Sequence, residues 1–464
     1  MASPFSNARP DFAVSAEVRR EFPLEYAEPE FELADIVRLY GDDYRAAHTP
    51  SFEQGRALHA IEVCRTTALG AHIDQCDECG HFEISYNSCR NRHCPKCRAS
   101  QRAAWVDARE LELLPIQYFH VVFTLPDLLH PLARYHSAEV YAALMRAAAE
   151  TLQTFARKQW DADLGIVAVL HTWGQTMNLH PHVHCIVTGG GLKRDGSGFV
   201  PAPKNFLFPH RALRRVFRAV FLKHLEAFRA ERRAPEGRPF NLDEASAREA
   251  RRLDLGPDAY RAPDEPDLDD DAAWKSLMQQ LHQQDWVVHI EAPFADPEPL
   301  IRYLGRYVNR IAIANHRIEA IDGGRVTFRY RDNRIKDPHA PEAEKRMTLS
   351  GADFIHRFLQ HVLPPSFHRI RYYGLLGGSR RRQNLTRCRE CLGLADPETP
   401  YIPDMDAFLA KQARDPSLCP VCGKGHLHNI LQVLSFEEPP APFNAPPPSR
   451  APPLPAPAAL PEAA

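Results

Sequence analysis

Two periodicities alternate along this chain. Runs rich in β-branched and aromatic residues, bounded by turn formers, predict strands at 118–125 (closed by Pro126), 165–173, 182–188, 286–291 and 326–331. The third is expected to end at Gly189-Gly190-Gly191. Between them lie stretches with apolar residues three and four apart. One, at 138–158, is alanine-rich. Another, 212–232, sets Leu213, Val216, Phe217, Val220, Phe221, Leu225 and Phe228 on one face and Arg and Lys on the other. A further helix is predicted to start at Asp296-Pro297-Glu298, with Asp as N-cap and Pro in the first turn, and to continue through 303–307. Residues 31–109 read as helical and Cys/His-rich, and 234–271 as a polar, Pro-interrupted insertion. The Pro/Ala-rich end, 437–464, reads as disordered or extended. Strands separated by long helices predict an α+β or α/β core, and periodicity alone does not say whether the sheet is antiparallel.

Composition changes this picture little. A chain of 464 residues has room for about three units at ~150 residues each. The formal net charge of −2 sums basic segments such as Arg380-Arg381-Arg382 with the acidic run 264–271, so it neither selects nor excludes nucleic acid. No apolar run approaches the ~18 residues that span a membrane. Residues 1–20 lack a secretory-type apolar stretch, so the chain is expected in the cytoplasm, where thiols stay reduced. Its 11 cysteines then need another explanation than disulfides. No P-loop is present, and ATP is not expected.

The cysteines supply that explanation by their spacing. Cys76-x-x-Cys79 and Cys94-x-x-Cys97 are two knuckles that together offer four thiolates to a tetrahedral Zn²⁺. Cys64, His72, Cys89 and His93 lie nearby and suit a second zinc. Cys388-x-x-Cys391 and Cys419-x-x-Cys422 form another ribbon candidate near the C-terminus, at 380–432. Four thiolates leave no open position, so these ions are expected to be structural.

Chemistry is expected elsewhere. In His180-Pro181-His182-Val183-His184, strand alternation puts His182 and His184 on one face, where two imidazoles can share a divalent metal. His171 at the end of the preceding strand is the favoured third ligand and His180 the next. Water or an acidic side chain would serve equally. Tyr303 and Tyr307, four apart on the predicted helix, share a face and are interleaved by Arg302 and Arg306, with Arg310 following. A metal beside a tyrosine nucleophile is the equipment for cutting DNA through a phosphotyrosine ester, and the arginines are candidate DNA contacts.

The His-Pro-His-Val-His strand followed by Gly-Gly-Gly-Leu, the Tyr303-Leu-Gly-Arg-Tyr307 segment, the block Tyr86-Asn-Ser-Cys-Arg-Asn-Arg-His-Cys-Pro-Lys-Cys97 and the block 354–364 resemble the insertion-sequence-ninety-one family. These are rolling-circle transposases of the HUH endonuclease superfamily. The resemblance implies an α+β fold with a central antiparallel sheet flanked by helices. An N-terminal zinc domain (31–109) would precede a catalytic domain (115–377), with the C-terminal ribbon after it. It implies nicking and joining of single-stranded DNA at hairpin-bearing element ends. Mg²⁺ or Mn²⁺ would sit on His182, His184 and His171, and Tyr303 and Tyr307 would be nucleophiles. A plasmid replication initiator or relaxase, a non-catalytic zinc-dependent regulator, and a hydrolase that uses water are the rival readings. The sequence leaves the oligomeric state open.

Overall fold

The computed structural model describes residues 29–97, 112–233, 266–291, 311–335, 337, 340–395 and 417–434. Its centre is an antiparallel sheet in the order β11-β4-β5-β3-β7, with the short β6 also on β5. The strands are β3 (Tyr118–Thr124), β4 (Ala162–Trp173), β5 (Leu179–Lys193), β6 (Phe199–Pro201), β7 (Val287–Ile290) and β11 (Ile370–Gly374). The orientation that periodicity left open is therefore antiparallel throughout.

Alternation along these strands divides two faces. Phe119, Val121 and Phe123 of β3, Ile166, Ala168 and Leu170 of β4, and Val183, Cys185 and Val187 of β5 point into the largest core. That face is covered by α4 (Ser137–Trp160), α5 (His210–Arg233) and α6 (Asp271–Gln283). In α4 the small Ala143, Ala147, Ala148 and Ala156 are all buried, which lets the helix lie close to the sheet. Asp270 caps α6 by accepting from the amides of Ala272 and Ala273. That helix begins inside the stretch read from sequence as a polar insertion, of which 234–265 lies outside the described residues.

Strand β5 does not stop at the glycine triplet but runs through it to Lys193. The reason is crowding by neighbouring backbone. A Cβ on Gly190 (φ +146) would lie 2.5 Å from the Val200 carbonyl oxygen, and one on Gly189 2.5 Å from that of Gln117. Glycine here permits a close approach inside a sheet rather than ending a strand.

The N-terminal region is only partly helical. After α1 (Leu33–Ala47) and α2 (Phe52–Glu62), capped by Ser51 and Gln54 in a reciprocal box, the chain forms a hairpin of β1 (Ala71–Cys76) and β2 (Phe82–Tyr86). Its third strand comes from the other end of the protein, where β12 (Leu427–Val433) pairs with β1. The segment expected to form a separate C-terminal ribbon is thus built into the N-terminal sheet.

A third sheet, β8 (Ile318–Asp322), β9 (Arg325–Arg331) and β10 (Glu344–Ser350), leads into α7 (Gly351–Leu359). It packs with α1 and α2 in a second core. Helix α3 (His130–Tyr135) follows β3, and α8 (Arg381–Cys391) packs Leu385 and Cys388 on the opposite face of the central sheet. The helix expected after residue 296, with Tyr303, Tyr307, Arg302, Arg306 and Arg310, lies outside the described residues, as do 435–464.

Candidate active site and metal-binding clusters

His182 and His184 occupy the central strand on the face away from the main core, and His171 stands directly opposite His182 on β4. One nitrogen of each of the three rings lies within 4.8 Å of the others. The ring centroids are 4.5 Å apart for His171–His184, 4.9 Å for His182–His184 and 5.4 Å for His171–His182. His171 is stacked on Trp173 at 4.7 Å. His180, the alternative third partner, belongs instead to a separate group with Asp127 and His130.

Hydrogen bonds select the tautomers. His182 Nδ1 lies 2.7 Å from the His180 carbonyl oxygen, an acceptor only, so Nδ1 carries the proton and Nε2 the lone pair. His184 Nδ1 is 2.8 Å from His120 Nε2, and His120 Nδ1 is 2.8 Å from a Glu291 carboxylate oxygen. A neutral His120 protonated on Nδ1, the nitrogen at ion-pair distance from the carboxylate, presents Nε2 as an acceptor. His184 then donates from Nδ1 and keeps its own Nε2 as the basic atom. Burial holds His182 at about 4, so its imidazole is neutral near pH 7, the form that can ligate a cation.

His120 and Glu291 escaped the sequence reading. Their signals were a histidine inside the otherwise apolar run Tyr118-Phe-His-Val-Val-Phe123 and an acid closing the next strand. Neither marks a site until β3 is placed between β5 and β7.

The β4–β5 turn that sets His171 against His182 is held from outside the sheet. Arg317 donates to the Gln175 carbonyl (2.6 Å), Arg357 to that of Thr176 (3.1 Å) and His361 Nε2 to that of Met177 (3.1 Å). All three donors come from the module built on β8–β10, α7 and the turn after it, which ties that module to the histidine cluster.

The eight cysteines of two clusters pair differently from their spacing. Cys64, Cys89, Cys94 and Cys97 form one group, and Cys76, Cys79, Cys419 and Cys422 the other. In the first, Cys97 Sγ lies 3.5 Å from Cys64 Sγ and 3.6 Å from Cys89 Sγ. In the second, Cys76–Cys422 and Cys79–Cys419 are each 3.7 Å apart. Tetrahedral Zn–S bonds of ~2.3 Å require sulfur separations near 4 Å, so both sets fit the ion. Knuckle amides point at sulfur, from Cys79 to Cys76, Asn91 to Cys89 and Gly425 to Cys422. The amides of Gly425 and Lys424 hold the Cys422 thiol down at about 6, favouring thiolate. Gly425 packs so tightly that a Cβ there would lie 2.5 Å from Cys76 Sγ.

The four-cysteine set read from sequence, Cys76, Cys79, Cys94 and Cys97, is therefore divided between two sites. Cys64 and Cys89 serve the first in place of a mixed Cys/His site. His72 instead faces Asp74 at 3.5 Å, and His93 Nε2 accepts from the Leu363 amide. Among the described residues Cys388 and Cys391 join no such group; Cys388, on α8, is packed in the core against the central sheet. The reason is topological: β12 runs antiparallel to β1 and delivers Cys419 and Cys422 to the first knuckle. The other site is anchored to the rest of the protein by Arg92, whose guanidinium donates to the carbonyls of Leu363, Pro364 and Phe367.

Comparison with known proteins gives the family. Residues 36–125 match the family model of a transposase zinc-binding domain, and residues 165–384 that of a putative transposase. A putative transposase of Sinorhizobium fredii is 43% identical over 86% of this chain and 94% of its own length. The transposase for insertion sequence element IS801 of Pseudomonas savastanoi is 31% identical over 78% of this chain and 80% of its own. No solved structure matches. These matches define a transposase, a DNA-cleaving enzyme, and its zinc-binding domain together with the cysteine clusters supports structural zinc. Within that class the chain belongs to the IS91 family.

Proposed function

We propose that this transposase nicks and rejoins single-stranded DNA at the hairpin-bearing ends of its element by the HUH mechanism of rolling-circle transposition. The observation that carries the reading is the His171–His182–His184 cluster on the paired strands β4 and β5, with the Nε2 atoms of His182 and His184 left basic by their hydrogen bonds. These three imidazoles would hold Mg²⁺ or Mn²⁺, which supplies Lewis-acid polarisation of the scissile phosphate. Tyr303 and Tyr307, which lie outside the described residues, are the proposed nucleophiles. A phenol with a pKa of ~10 costs roughly 4 kcal/mol to ionise at neutral pH, and the neighbouring Arg302 and Arg306 would lower that cost. The phenolate oxygen attacks phosphorus and the bond to the 3′ oxygen breaks. That oxygen leaves and takes up a proton, and the 5′ phosphate stays on tyrosine as an ester. Attack by another 3′ hydroxyl reverses the step and joins the strands.

The test is a denaturing gel after incubation with single-stranded element-end oligonucleotides and Mn²⁺. Wild-type protein should give a covalent adduct, and the Tyr303→Phe/Tyr307→Phe double variant should bind DNA without forming one. Adduct formation by the double variant at the wild-type rate would put the nucleophile elsewhere.

A further inference from the structure

We propose that Asp127, His130 and His180 form a second divalent-cation site, separate from the histidine cluster on which the proposed function rests. One ligand atom from each of these three residues lies within 4.8 Å of the others, and His130 Nε2 is 3.4 Å from Asp127 Oδ1. The residues come from three elements: the turn after β3, the first residue of α3, and the start of β5.

Their meeting is fixed by backbone. The Leu125 amide donates to the Pro181 carbonyl (3.0 Å), which fastens the end of β3 beside His180. The chain then turns tightly, the Leu129 amide donating to the Pro126 carbonyl (2.9 Å), so that Asp127 and His130 fall on the same side. Pro131 in the first turn of α3 keeps that geometry stiff. An ion pair between Asp127 and His130 alone would be an ordinary feature of a helix start. The ring of His180, arriving from a different strand, is what such a pair does not need and a cation does.

Two imidazoles and one carboxylate make a donor set for a transition-type divalent ion such as Mn²⁺ or Zn²⁺, with positions open to water or a phosphate oxygen. Thiolate-seeking zinc has better sites in the two cysteine clusters, so the two sets of sites differ in preference. The His180 and His182 rings are 5.2 Å apart, which places the new site next to the first along β5.

The test counts Mn²⁺ bound to the full-length, zinc-loaded protein by electron paramagnetic resonance of the free ion. Wild type should bind two ions. Asp127→Asn and His130→Gln should each bind one, or bind the second at least tenfold more weakly, and His182→Gln/His184→Gln should also retain one. Asp127 has an 87% exposed side chain, so its replacement leaves packing intact and an unchanged melting temperature verifies the fold. Wild-type stoichiometry and affinity in both single variants would overturn the site. A wild type that binds one ion, lost only in His182→Gln/His184→Gln, would overturn it too and leave the proposed function standing. One ion lost only in Asp127→Asn would do the reverse, and no bound Mn²⁺ at all would overturn both.

Discussion

Replacing Cys419 and Cys422 with serine should strip zinc from the N-terminal region more than 300 residues away in sequence. The second cluster takes two sulfurs from the knuckle at 76–79 and two from that at 419–422, with cross-pairs of 3.7 Å. Removing half of a four-thiolate set leaves two ligands, too few for a tight tetrahedral site. Structural zinc contributes apparent binding energies on the order of 10–16 kcal/mol, comparable to or above the roughly 5–15 kcal/mol net stability of a whole domain. The local sheet has little to replace it: Phe82, Ile84, Ile430 and Leu431 are all more than half exposed, so apolar burial there is poor. Zinc content by mass spectrometry should fall from two ions per chain to one, and the β1–β12 amides should lose protection from hydrogen exchange. Cys388→Ser/Cys391→Ser is the control, expected to keep both ions. If the control loses an ion while Cys419→Ser/Cys422→Ser keeps both, the pairing described here is wrong.

Two further outcomes are expected. His120→Ala or Glu291→Gln should weaken Mn²⁺ binding at the histidine cluster by about 10–100-fold, because the His184 tautomer is no longer fixed; isothermal titration reads this, and unchanged affinity would remove both residues from the site. His361 is fully buried between Thr172 and the Met177 carbonyl and held at about 4, below its ordinary 6.5. Its contribution is therefore fully present above pH 6.5 and lost as pH falls towards 4, amounting to about 2 kcal/mol between pH 7.5 and 5. Urea unfolding of His361→Gln should show an acid loss smaller by that amount, and an unchanged pH dependence would refute the assignment.

What the sequence determined by itself is what short-range periodicity and spacing can encode. Residues at 118–125, 165–173 and 182–188 had to be strands because β-branched and aromatic side chains fit a pleated surface, and all three are. Strand parity alone put His182 and His184 on one face, and Cys-x-x-Cys spacing alone marked thiolate knuckles. Tertiary structure decided which distant segments meet. The knuckle at 76–79 has a near neighbour in sequence at 94–97, yet strand pairing gives it Cys419 and Cys422 instead. On paper His171 is the favoured third ligand and His180 the next, and nothing in the sequence singles out His120. The β4–β5 register put His171 among the ring nitrogens, and the order β5-β3-β7 put His120 behind them with Glu291 at its back. Knuckles and strand faces are set within a few residues, where geometry is nearly fixed by the backbone. Which of them come together depends on long-range pairing between strands, and no local pattern carries that register.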